Sequence, residues 1–137
     1  MLQSSQSVVL HIVEDMDVVR VRAHVRSLAS DMGFSLGDQT RLATAVSELS
    51  RNVLQYAGKG QCEIFCMALP SRSGLRLVFE DHGPGIADID KAMQDGYSTS
   101  GGLGAGLPGT RRLVDEFSIE SRPGLTRITI AMLRRHA

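Results

Sequence analysis

The sequence predicts a two-layer α/β sandwich, in which helices cover one face of a mainly antiparallel mixed sheet. Secondary-structure signals follow the order β-α-α-β-β-loop-α-β-β, and such an order is typical of helices and a sheet that pack as two layers. The 137 residues, 42% of them hydrophobic, suit one core. No internal repeat or low-complexity linker divides the chain, so we expect a single domain over residues 1–137.

The first two elements are a strand and a helix. Residues 8–13, VVLHIV, form a short β-branched run typical of a strand. Asp15 or Asp17 can cap the helix that follows, and Gly33 can end it. Apolar residues recur in this helix every three or four positions, at Val18, Val21, Val25, Leu28 and Met32.

A long second helix is predicted next. Ser35 and Asp38 resemble a capping box, and Gly58 can supply a left-handed cap at the other end. One apolar stripe runs along it, at Leu42, Ala45, Val46, Leu49, Val53 and Tyr56.

The second half of the chain supplies the remaining strands. Residues 61–69, 75–80 and 117–133 alternate or stay apolar, as antiparallel strands do. Between them we expect a short helix near residues 88–94 and another that begins near Pro108.

Composition excludes several classes of partner. Fifteen basic residues balance fifteen acidic ones, so no overall field would attract nucleic acid or an anionic membrane. No apolar run approaches the ~20 residues that cross a bilayer, and we expect a cytoplasmic protein. Cys62 and Cys66 share one face of a predicted strand, where we expect buried, reduced thiols rather than a metal site.

Glycines are concentrated in TSGGLGAGLPG, residues 99–109. The string G-x-G-x-x-G at residues 104–109 does not follow a strand, which excludes a dinucleotide-binding βαβ unit, and no P-loop string is present. Unobstructed N–H groups that lead into a helix start favour an anion there. A glycine-rich surface loop is the alternative that these residues leave open.

Two further motifs carry polar side chains. Glu48 and Asn52, one helical turn apart at the edge of the apolar stripe with Arg41 and Gln55 on the same flank, can face a cleft together. An amide oxygen suits Mg²⁺ and a carboxylate can accept a proton. A surface Glu–Asn pair is the simpler interpretation.

The second motif is EDHGPGI, residues 80–86. Asp81 ends a strand, and Gly83 and Gly85 follow in a tight turn. A buried carboxylate there requires a donor, such as the exocyclic amine of adenine. The pattern D-x-G-x-G also occurs as a simple turn.

The ordered set E-x-x-x-N, D-x-G-x-G and G-x-G-x-G resembles the GHKL superfamily of gyrase, Hsp90 and histidine kinases, which has the Bergerat ATP-binding fold. Within it, the chain resembles the RsbT-like switch serine/threonine kinases of the bacterial stressosome. The likeness covers nearly the whole chain.

The resemblance implies a role for each matched residue. Glu48 would be the general base, Asn52 the Mg²⁺ ligand and Asp81 the adenine anchor of an ATP site. The other nucleotide-binding residues would be Gly83 and Gly85 in the adenine-side turn, Gly102, Gly104 and Gly106 in a lid over the phosphates from about residue 96 to residue 106, and Thr126 beside Asp81.

The implied activity is ATP-dependent phosphorylation of Ser or Thr in STAS-domain antagonist or scaffold proteins. By the same resemblance, the protein would switch partners and activate a downstream PP2C-type phosphatase or another output protein. Two alternatives stay open: an anti-sigma factor kinase, and a nucleotide-gated binding module with little catalysis. Neither nucleic acid nor membrane is expected as a partner.

Overall fold

The computed structural model describes residues 6–69, 72–94 and 106–134 of the chain. Five strands form one sheet in the order β1-β2-β3-β5-β4. The strands are β1 (Ser7–Ile12), β2 (Gly60–Leu69), β3 (Arg72–Asp81), β4 (Glu116–Arg122) and β5 (Leu125–Leu133). The helices are α1 (Asp15–Asp31), α2 (Leu36–Ala57), α3 (Ile89–Ala92) and α4 (Gly106–Leu113). The α/β fold class and the order of elements are as predicted.

The sequence predicted a mainly antiparallel mixed sheet. The four strand pairings that the structure describes are all antiparallel, so the prediction of a mixed sheet is wrong. The reason lies in the connections. The chain leaves β3 through α3 and α4, enters the sheet at its outer edge as β4, and returns along β5 after a tight turn at Pro123 and Gly124. Strand β4 runs parallel to β3, but β5 lies between them and pairs antiparallel with both. The sheet therefore contains no parallel pair among the described strands.

Helix α1 begins one residue earlier than expected, and its N-cap is neither Asp15 nor Asp17. Glu14 is the N-cap and forms a reciprocal capping box with Asp17. The carboxylate of Asp17 accepts N–H bonds from Val13 and Glu14 at 2.9 and 3.1 Å. Backbone hydrogen bonding, chiefly from Val13, lowers the pKa of this carboxyl.

Helix α2 keeps its predicted cap residues. The Ser35 hydroxyl accepts the Asp38 N–H at 3.1 Å, and Gly58 ends the helix with φ of 81°. Tyr56, predicted to belong to the apolar stripe, is instead 46% exposed. The backbone at Gly83 packs against the last turn of α2: an added Cβ there would lie 2.7 Å from the Ala57 Cβ and 3.1 Å from the Tyr56 carbonyl. This contact leaves no space in the core for the Tyr56 ring.

The core lies between the helices and one face of the sheet. Alternate residues of β2, β3 and β5 align in cross-strand rows on that face. The rows are Cys62–Phe79–Ile128, Ile64–Leu77–Ile130 and Cys66–Leu75–Met132.

The two cysteines on this face differ in burial. Cys62 is buried, as predicted, and its burial raises the pKa of the thiol. Cys66 is exposed, contrary to the prediction, because the pairing of β1 with β2 ends at Phe65 and leaves Cys66 without a strand on its outer side.

Among the helices that the structure describes, none is both long enough and apolar enough to cross a membrane.

Candidate active site

One end of the helix-facing sheet surface is polar, whereas the rows behind it are apolar. In β3, Asp81 continues the alternation of Leu75, Leu77 and Phe79, so its side chain lies on the same face as the core. The register pairs Asp81 with Gly60 of β2 on one side and with Thr126 of β5 on the other. Asp81 and Thr126 are each 7% exposed. The late-strand threonine therefore lies directly beside the carboxylate.

Hydrogen bonds hold this polar end in place. The Gly83 N–H donates to Asp81 Oδ1 at 3.0 Å. Ser121 of β4 bonds Thr126 Oγ1 through its hydroxyl at 2.7 Å and accepts the Ile86 N–H, also at 2.7 Å. Ser121 was not predicted from the sequence; the tight turn between β4 and β5, which fixes the pairing of Ser121 with Thr126, was the signal that could have revealed it.

The second carboxylate oxygen of Asp81 is available to a ligand. Among the described residues, only the Gly83 N–H bonds to this carboxylate. Burial raises the pKa of Asp81, while the Gly83 bond and the nearby His82 oppose that rise. A buried carboxylate with one acceptor oxygen unused by the described residues favours a further donor, such as a ligand.

The D-x-G-x-G turn is fixed between α2 and the turn that joins β4 to β5. Gly83 packs on Ala57 of α2, and its carbonyl accepts the Gly124 N–H at 2.9 Å. Gly85 has φ of +87°, and an added Cβ would lie 2.5 Å from the Arg122 carbonyl oxygen. Glycine is required at both positions by close approach, and at Gly85 also by conformation.

The other two predicted polar residues lie on helix α2, whose last turn contacts the Asp81 turn. Glu48 and Asn52 are separated by about 6 Å along the helix axis, and Glu48 is about 13 Å from Ala57, from a rise of about 1.5 Å per residue. Asn52 is half-buried. It therefore lies between Glu48 and the end of the helix on which the Asp81 turn packs.

Glu48 is held by a partner that the sequence analysis did not identify. Its side chain is 15% exposed, and its Oε2 accepts a bond from Arg51 Nη1 at 3.0 Å. The i, i+3 spacing of the two residues was the available signal. Oε1 remains for another donor. Of the two residues expected on the same flank of α2, Arg41 pairs with Asp38 at 2.8 Å, and Gln55 is exposed.

The glycine-rich segment is described only at its end. Gly106 is the first residue of α4, with φ of 68°, and its carbonyl accepts the Thr110 hydroxyl at 2.9 Å. Gly102, Gly104 and the rest of the predicted lid lie outside the described residues.

These residues fit an adenine nucleotide with its metal. Asp81 offers a buried acceptor of the kind that an adenine amine would require, and Gly60, opposite it, places no side chain in the row. Asn52 offers a neutral oxygen. No cluster of three or more His, Cys, Asp or Glu side chains within the described ranges could hold a metal; Mg²⁺ ordinarily takes few protein ligands and completes its shell with phosphates and water.

Comparison with known proteins shows the family to which the chain belongs. Residues 37–136 match the family model described as histidine kinase-, DNA gyrase B-, and HSP90-like ATPase. The chain belongs to this ATPase family. The matched range includes α2, the turn after β3 and the β4–β5 hairpin, which together form the candidate site.

Two curated relatives and one solved structure are similar over most of the chain. Serine/threonine-protein kinase RsbT of Bacillus subtilis is 52% identical over 115 residues, which is 84% of this chain and 86% of that protein. Serine-protein kinase RsbW of Bacillus velezensis is 32% identical over 128 residues, 83% of this chain and 75% of that one. The structure of the RsbU and RsbW domains of a Mycobacterium tuberculosis protein aligns with a TM-score of 0.63 at 21% identity. The alignment covers 95% of this chain and 34% of the Mycobacterium tuberculosis chain. At this low identity, the likeness shows the fold alone.

Proposed function

We propose that this chain is a protein serine/threonine kinase that transfers the γ-phosphoryl group of ATP to a hydroxyl of a STAS-domain antagonist or scaffold protein. In the same proposal, it acts as a partner-switching regulator that activates a downstream PP2C-type phosphatase or another output protein. The observation that carries the proposal is the pairing of buried Asp81 with Thr126, beneath the end of the helix that bears Glu48 and Asn52. The 52% identity to a serine/threonine kinase supports the acceptor class.

Each residue would act at a stated atom. Asp81 Oδ2 would accept the adenine amine, while Gly83 keeps Oδ1 in place. The amide oxygen of Asn52 would bind Mg²⁺, and Gly106 would lie at the start of a helix that follows the phosphate lid. Bound Mg²⁺ would neutralise charge on the phosphates.

Glu48 would act as the general base. Oε1 would accept the proton of the acceptor hydroxyl as the hydroxyl oxygen bonds to the γ-phosphorus and the bond from that phosphorus to the β,γ-bridging oxygen breaks, which releases ADP. Arg51 holds Oε2 and so fixes the carboxylate for this step.

The test is the substitution Glu48→Gln, assayed with Mg-ATP and a STAS-domain protein of the same organism. We expect ATP affinity close to that of the wild type and transfer reduced about a hundredfold or more, because the amide cannot take the proton. Glu116→Gln, on the outer strand β4, is the matched control and should leave both quantities unchanged.

Acid-stable phosphate on Ser or Thr of the STAS protein would support the proposed kinase. Acid-labile phosphate, or full transfer by Glu48→Gln, would contradict it. Nucleotide binding without transfer by the wild type would favour the nucleotide-gated module, and retention of a sigma factor in place of the STAS protein would favour the anti-sigma kinase.

A further inference from the structure

Helices α1 and α2 border a groove of about 300 Å³. Its charged residues are Arg22 and Arg26 from α1, and Glu48 and Arg51 from α2. The remaining lining is small or weakly polar: Thr40, Ala43, Thr44 and Ser47. Three guanidinium groups and one carboxylate give the groove a positive charge, although the whole chain is formally neutral.

Two of these arginines differ from their neighbours in that no carboxylate of the described residues pairs with them. Arg20, Arg41 and Arg51 each pair with a carboxylate three residues away in the same helix. Arg22 and Arg26, by contrast, form no ion pair with any residue in the described ranges. Their i, i+4 spacing places two like charges on one helix face, an arrangement that is unfavourable without an anion between them.

The floor of the groove offers few competing donors. The Thr40 hydroxyl donates to the Leu36 carbonyl and the Ser47 hydroxyl to the Ala43 carbonyl, each at 2.9 Å. Both protons are therefore used within α2. The exposed Thr44 is the one other hydroxyl in the lining. Recognition of a ligand in the groove consequently depends mainly on the guanidinium groups, which bind carboxylates with two parallel hydrogen bonds.

The groove includes Glu48, the residue to which the acceptor hydroxyl must come if this carboxylate is the base. The adenine end of the proposed nucleotide site is at Asp81, next to the last turn of α2 and about 13 Å along the helix from Glu48. A protein acceptor can therefore approach Glu48 along α1 and α2 without crossing the proposed adenine site.

We propose that this groove binds an acidic segment of the acceptor protein beside its Ser or Thr. Arg22 and Arg26 pair with carboxylates of that segment and so position the hydroxyl at Glu48. This inference depends on the proposed function for the identity of the partner, while the groove and its unpaired charges are observed independently of it.

The experiment measures peptide binding to the full chain without nucleotide. One labelled peptide carries a serine flanked by glutamates, and the other carries glutamines in their place. We expect the glutamate peptide to bind about tenfold more tightly or better, and to lose affinity as salt is raised. Arg22→Ala combined with Arg26→Ala should weaken it about tenfold. Arg20→Ala, on the other side of α1, is the matched control and should not.

A second variant distinguishes loss of the binding groove from damage to the fold, because it is expected to gain binding. Arg22→Glu combined with Arg26→Glu should bind a lysine-flanked peptide more tightly than the wild type does, which an unfolded chain would not do. Equal binding of the glutamate peptide by wild type and the alanine variant, including no measurable binding by either, overturns the proposal. A parallel loss of Mg-ATP affinity in the alanine variant also overturns it, because the arginines would then serve the nucleotide. The peptide-binding assay contains no ATP and requires no phosphoryl transfer. A failure of the proposed kinase activity can therefore be distinguished from a failure of peptide binding.

Discussion

Asp81 is a buried acid whose environment disfavours its charged form. Apart from the Gly83 N–H, no described group bonds to it, and burial raises the pKa of the carboxyl. A residue that costs stability is retained more readily at a binding site than in a structural core. Asp17 is the opposite case, since backbone N–H bonds lower the pKa of its carboxyl.

These opposite shifts predict opposite effects of pH on stability. For Asp81, the native state binds more protons than the unfolded state, so its contribution becomes less favourable as pH rises from the ordinary pKa through the raised native pKa. Asp81→Asn should therefore not destabilise the protein at pH 7, and any gain in unfolding free energy should diminish at acid pH.

Asp17→Asn should lower the unfolding free energy at pH 7, and this loss should disappear as pH falls through the lowered native pKa of Asp17. The free energy of unfolding in urea, measured at several pH values, checks both; a clear loss of stability in Asp81→Asn at pH 7 would contradict the account of its environment.

At the scale of elements, the D-x-G-x-G turn is a rigid connection between α2 and the β4–β5 hairpin. Its glycines make the close contacts with Ala57 and the Arg122 carbonyl. This packing places Asp81 beneath the helix that carries Glu48 and Asn52.

A matched pair of substitutions tests that connection. Gly85 and Gly58 have φ of 87° and 81°, but an added Cβ meets the Arg122 carbonyl only at Gly85 and nothing within 4 Å at Gly58. Gly58→Ala should cost about 1 kcal/mol of unfolding free energy, from backbone conformation alone. Gly85→Ala should cost about 2–3 kcal/mol and also weaken ATP binding, because the turn must move. Chemical denaturation measures the first effect and calorimetry the second; equal costs for the two variants would show that the contact with Arg122 is unimportant.

The elements were largely predictable because they follow local rules. The capping pair Ser35 and Asp38, the left-handed Gly58 and the alternation in the strands each depend on neighbours within a few residues. The exposure of Tyr56 and Cys66 was not predictable in this way. It depends on where the turn at Gly83 and the end of β1 lie in space.

For the molecule as a whole, the structure joins residues 81–86 with residues 121–126 and with the last turn of α2, the helix that carries Glu48 and Asn52. The resemblance to a family indicated Asp81 and Thr126 as neighbours, and the β3–β5 register pairs them. The bond from Ser121 to Thr126 depends on how β4 pairs with β5, whereas the Arg51 contact to Glu48 is local to α2 and its i, i+3 spacing could have indicated it. Arg22 and Arg26 of α1, which form no ion pair with the described residues, likewise line a groove only because α2 lies beside them.

The most direct measurement of the central claim is calorimetric titration of Mg-ATP and Mg-ITP into the wild type and Asp81→Asn. Inosine carries a carbonyl at position 6 where adenine carries the amine, so position 6 of inosine cannot donate to Asp81 Oδ2. We expect the wild type to bind ATP about ten- to a hundredfold more tightly than ITP, from one hydrogen bond to a charged group. Asp81→Asn keeps an acceptor for Gly83 but places a donor toward the purine, and it should lose this preference. Equal affinity of the wild type for the two nucleotides, or an unchanged preference in Asp81→Asn, would contradict a purine site built on Asp81.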